Sequence, residues 1–107
     1  MQQLPVPSPV PLLLALQLAV ACTLPQSRTQ AAFEAEAAYV AAARGSAAYV
    51  LSPGAEPATA ATLRRLEREA YAAVVASREA PADAAKLAVA QRQVEALTRY
   101  MAEKGIR

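Results

Sequence analysis

Ser52-Pro53-Gly54-Ala55-Glu56-Pro57 is the stretch on which the fold turns. Two prolines and a glycine within six residues cannot continue a helix, yet both flanks are alanine-rich and carry apolar residues at helical spacing. A helix that stops at such a short connection and restarts beyond it packs beside its predecessor in the opposite direction. Downstream, Pro57 suits a first helical position, where its missing N–H costs nothing. The second helix is therefore predicted over 57–79, with Leu63, Leu66, Ala70, Val74 and Ser77 as its buried stripe. Arg64, Arg65, Glu67, Arg68 and Glu69 fall mostly on its other faces, and Arg65 and Glu69 can pair one turn apart.

Ala80-Pro81-Ala82-Asp83 is a second interruption, and Asp83 is suited to cap a third helix. That helix is predicted over 83–104. Leu87, Ala90, Val94, Leu97 and Met101 recur at spacings of three and four, the most regular apolar seam in the chain, with Glu95 and Arg99 paired beside it. Gly105 fits a C-terminal cap, and Lys104 opposes the helix dipole in the last turn.

Upstream of the turn, Ser27-Arg28-Thr29-Gln30 matches a capping box, in which Ser27 caps and Gln30 reaches back. The first helix of the body is predicted over 28–51, with Phe33, Ala37, Val40, Ala47, Ala48 and Leu51 on its buried stripe. Gly45 lies inside it at a cost of about 1 kcal/mol relative to alanine, which marks a weak point or a close backbone contact. No stretch shows strand periodicity. The fold class expected is all-α, a three-helix up-down-up bundle over 28–107.

Residues 1–27 contain no charged side chain, and Arg28 is the first. Within them Leu12 to Ala21 is an apolar run of ten residues, about 15 Å as a helix and roughly half a hydrocarbon core, which suits the apolar region of a signal peptide. Pro5, Pro7, Pro9 and Pro11 predict an extended, polyproline-like or disordered segment ahead of it. Ala19 and Ala21 put small residues at the two positions that signal peptidase requires. Cys22, the one cysteine of the chain, comes directly after them.

Leu18-Ala19-Val20-Ala21-Cys22 resembles a bacterial lipobox, in which a small residue precedes a lipid-modified cysteine. The resemblance implies a leader over 1–21, a tether over 22–27, and a membrane anchor made of diacylglycerol and an N-acyl chain on Cys22. Acyl chains at about 0.8 kcal/mol per buried methylene hold such a protein on the bilayer. Thr23 in place of Asp after the cysteine implies release to the outer membrane, with the body facing the periplasm. A plain cleaved secretory signal, an uncleaved anchor and a buried apolar arm are the alternatives. Leader, lipobox-like cysteine and three alanine-rich helices together are similar to small lipoproteins of bacterial phages and prophages. Phe33, Tyr39, Ser52-Pro53-Gly54-Ala55 and the Ala-Val-Ala-rich third helix carry that likeness, which confers no known activity.

The 107 residues include 29 alanines, no histidine and no tryptophan. Without histidine or a second cysteine, His-based catalysis and multi-ligand Cys/His metal sites are excluded, and no cofactor is expected. Ser46, Ser52 and Ser77 have neither a histidine base nor a Ser-x-x-Lys lysine. Glu34 with Glu36, and Glu67 with Glu69, point about 200° apart on a helix and cannot share a substrate. Tyr39, Tyr49, Tyr71 and Tyr100 suit the edges of a bundle core, with hydroxyls at the surface, better than a stacking set for bases or sugars. The net charge of +2 comes from interspersed basic and acidic residues, and the run Arg64-Arg65-Leu66-Glu67-Arg68 reads as a solvated helix face. Neither nucleic acid nor a small-molecule substrate is implied.

The expectation is a non-enzymatic, lipid-anchored envelope protein whose body is an interaction or spacer module. A phage-lysis component of the spanin kind, or a virion accessory lipoprotein, is the alternative, and a soluble helical adaptor the third reading. Alanine buries little area per residue, so self-association or a protein partner is the expected supplement to a small core.

Overall fold

The computed structural model describes the backbone of residues 10–107 and the side chains of residues 28–107. Among them the chain is all-α: α1 is Val10–Val50, α2 is Pro57–Glu79 and α3 is Ala84–Glu103. The chain divides into two compact units, Met1–Ala31 and Ala32–Arg107, and the second holds the core. Of the proline-rich segment expected to be extended, Pro5, Pro7 and Pro9 lie outside the described residues, and Pro11 falls in the first turn of α1, where a proline is tolerated.

α1 runs unbroken from Val10 to Val50. The side chains of residues 22–27, expected as a tether, and of Ser27, expected as a cap, lie outside those the structure describes.

The α1–α2 turn is closed by its own backbone. Leu51 donates to the Ala47 carbonyl at 3.0 Å, Ser52 N–H to that of Tyr49 at 3.0 Å, and Ala55 to that of Ser52 at 3.2 Å. The Ser52 hydroxyl adds a bond to the Tyr49 carbonyl at 2.7 Å. Pro57 then opens α2 behind Glu56. Gly54 has neither a positive φ nor a neighbour within 4 Å of the Cβ position, so the prolines, which cannot donate, are what stop the helix here.

At the next connection Asp83 caps α3 as expected, its carboxylate accepting from the N–H groups of Ala85 at 3.0 Å and Lys86 at 3.1 Å. α3 ends in a Schellman arrangement: Ile106 donates to the Met101 carbonyl at 2.8 Å and Gly105 to that of Ala102 at 3.1 Å. Gly105 has φ +69°, the left-handed conformation that glycine adopts without strain. Ile106 then folds back onto the core, making the apolar contact that accompanies this cap.

The core is built on the α2–α3 pair. Leu63, Leu66, Ala70 and Val74 meet Ala90, Val94, Leu97 and Met101, and Leu63 and Leu97 are fully buried. Among the described residues of α1, only Ala42 joins this cluster as a buried member, with Tyr39, Tyr49 and Val50 packed at its edge.

The buried stripe expected on α1 is overturned. Phe33 is 72% exposed, Val40 43% and Leu51 83%, and Ala37, Ala47 and Ala48 are exposed as well. The face turned inward carries Ala35, Tyr39, Ala42, Ser46 and Tyr49, about 200° around the helix at 100° per residue. Closeness explains the choice. A Cβ on Gly45 would lie 2.8 Å from Met101 Cε and 3.1 Å from the Arg107 carbonyl carbon, a separation that large residues on α1 would prevent.

Candidate interaction surface

Cys22, the residue expected to carry lipid, and Ala19 and Ala21, expected to flank the cleavage point, lie outside the residues whose side chains the structure describes. Among the described residues no group of three or more His, Cys, Asp or Glu could hold a metal ion. No helix among them is long and apolar enough to cross a membrane.

The tyrosines and charged residues are instead arranged to hold α1 on α2. The Tyr39 hydroxyl donates to Glu67 Oε2, and its ring meets that of Tyr71 with centroids 5.9 Å apart and planes inclined at 44°. Burial, then the Glu67 carboxylate, push the Tyr39 phenol above its ordinary range, because both penalise a phenolate. At one end of this contact Arg78 reaches across to Glu36 with bonds of 3.1 and 3.4 Å, and the carboxylate raises the guanidinium pKa further. At the other, Tyr49 accepts a hydrogen bond from the Glu56 N–H at 3.0 Å. Two of the four hydroxyls thus serve as struts between elements and not as surface groups.

Three of the four carboxylates that the sequence places two apart go to separate partners. Glu36 goes to Arg78, Glu67 to Tyr39 and Glu69 to Arg65 at 3.5 Å. Arg65 with Glu69 and Arg99 with Glu95 are the exposed i,i+4 pairs expected from spacing, of small energetic weight. Tyr39–Glu67 and Glu36–Arg78 have no local signature, since their members are 28 and 42 residues apart.

Two surface features remain. One is the outward face of α1, where Phe33 and Val40 stand exposed, with Leu51 just past its end. The other is an open groove of about 450 Å³ between α1 and α2, lined by Ala43, Ser46, Ala47, Val50 and Leu51 on one side and by Arg64 and Glu67 on the other. Ser46 is buried, and Arg64 is exposed and takes part in none of the ion pairs among the described residues. Groove and outward face share Ala47 and Leu51, so they form one continuous surface whose side chains are suited to packing. Compared with known proteins, the chain matches no family model, no curated protein and no solved structure.

Proposed function

We propose that this chain is a lipid-anchored protein of the bacterial cell envelope, with a helical body that serves as a non-catalytic interaction or spacer module. The observation that carries the reading is the uncharged run Leu12 to Ala21 ending on Ala19-Val20-Ala21-Cys22. An apolar decapeptide with small residues before a lone cysteine has the chemistry that export, cleavage and thioether acylation require. The lipid on Cys22 is the membrane partner, and Thr23 directs the protein to the outer membrane. A small helical body with exposed apolar side chains on one helix suits contact with another protein.

The decisive experiment is labelling with palmitate in a Gram-negative host. Label enters the wild-type chain and sediments with the outer membrane, whereas Cys22→Ala takes up none and is released from it. Full membrane retention of Cys22→Ala, or a purified chain bearing its first methionine and a free thiol, would reject the reading.

A further inference from the structure

We propose that Gly105-Ile106-Arg107, the segment that follows α3, is a strap that closes over Gly45 and sets how α1 docks on the α2–α3 hairpin. Gly105, at φ +69°, turns the chain back. The Ile106 N–H donates to the Met101 carbonyl at 2.8 Å, and its side chain packs against the core. These two ties fix where the next residue lies, and that place is against α1.

Gly45 shows how close the strap comes. A Cβ there would stand 2.8 Å from Met101 Cε, 3.1 Å from the Arg107 carbonyl carbon and 3.2 Å from its oxygen. The Met101 methyl is the far end of a flexible side chain and can swing aside. The Arg107 carbonyl is backbone, and it gives way only if the strap lifts. Gly45 is also the one glycine of α1, at a position where alanine would favour the helix about fivefold in equilibrium constant. The notch that this glycine leaves is the space the strap fills.

The contact falls where α1 has least else to hold it. Tyr39 and Tyr49 pack at the edge of the core, and between them the buried side chains of α1 are those of Ala42 and Ser46 alone, which bury little area. The Glu36–Arg78 ion pair lies on the far side of Tyr39 from this stretch and is exposed at 40% and 61%, so it adds little. The same stretch supplies Ala43, Ser46 and Ala47 to one wall of the α1–α2 groove. The width of that groove is therefore set in part from the end of α3, and a lifted strap leaves the wall free to move.

The test is urea unfolding of the full chain in mild detergent, followed by helical circular dichroism. Helix propensity alone predicts that Gly45→Ala raises the folding constant about fivefold. Under a closed strap it is expected to lower that constant by about fivefold instead, because the added methyl meets backbone. Ile106→Gly removes the apolar tie and frees the strap. In that background the same Gly45→Ala substitution is expected to change sign and raise the folding constant. A rise for Gly45→Ala in the otherwise wild-type chain would overturn the strap. Equal losses with and without Ile106 would place the obstruction elsewhere and overturn it as well. The substitutions leave Cys22 in place, so palmitate labelling tests the anchor independently of this result.

Discussion

In α3 most of the large side chains on the apolar seam are the buried ones, and in α1 the large residues of the matching series are the exposed ones. Val94, Leu97 and Met101 occupy the core, whereas Phe33, Val40 and Leu51 point away from it and Ala35, Ala42 and Ser46 take the inward positions. Both helices are rich in alanine and both have an apolar series at helical spacing. What separates them is the order in which the core is filled. Leu63, Leu66 and Val74 of α2 interdigitate with the α3 seam, and the space left for α1 admits small side chains and the flat rings of Tyr39 and Tyr49. Helical periodicity identifies a face on which residues agree. It does not say whether that face belongs to the core or to a partner.

The sharpest way to break the contrast is to truncate one large residue on each helix. Leu97→Ala removes a fully buried side chain and leaves a cavity between α2 and α3, for an expected loss of about 3 kcal/mol. Phe33→Ala, measured at dilute concentration, removes a side chain with most of its surface already in water and changes the stability of the single chain by no more than about 0.5 kcal/mol. Urea unfolding followed by circular dichroism reads both. Equal losses would mean that Phe33 is packed inside, and the assignment of faces on α1 would be wrong.

A second substitution probes the inward face itself. Ala42 is 7% exposed and belongs to the central cluster. Ala42→Leu should cost about 2 kcal/mol, because the added carbons must displace α2 or α3 side chains from a close contact. If α1 packed through its large residues, position 42 would face water and leucine there would be tolerated. A lowered urea midpoint supports the close approach, and an unchanged midpoint opposes it.

These contrasts also show how much of the molecule is legible in the sequence. The α2–α3 hairpin is, because each of its signals is local: Pro57 opens a helix, Asp83 caps one, Gly105 closes one, and Leu63, Leu66, Val94 and Leu97 repeat at one period. The three-helix, all-α class follows from the same signals. α1 misleads because nearly every position is alanine or another helix former, so its few large residues dominate a pattern that packing then ignores. The surface between α1 and α2 is legible only in part. Arg64 and Glu67 can be placed on α2 by spacing, but the groove they line exists only once Val50 and Leu51 arrive from the other helix.

The smallest effect tests the polar contact that holds the small-residue helix in place. Tyr39→Phe keeps the ring against Tyr71 and removes the hydroxyl bonded to Glu67, for an expected loss of about 1 kcal/mol near neutral pH. The same residue predicts an alkaline limit. Burial first, and Glu67 second, raise the Tyr39 pKa in the folded chain above its ordinary value of 10.0. Above about pH 10 the unfolded chain therefore releases this proton while the folded chain retains it, and stability falls as pH rises. Below that pH both states hold the proton, and the contribution of the contact is fully present. Thermal unfolding from about pH 8 to 11 should show wild type losing its advantage over Tyr39→Phe as tyrosinate forms in the unfolded state. Parallel curves over the whole range would mean that Tyr39 ionises equally easily in both states, and its hydroxyl would then add nothing to the contact between α1 and α2.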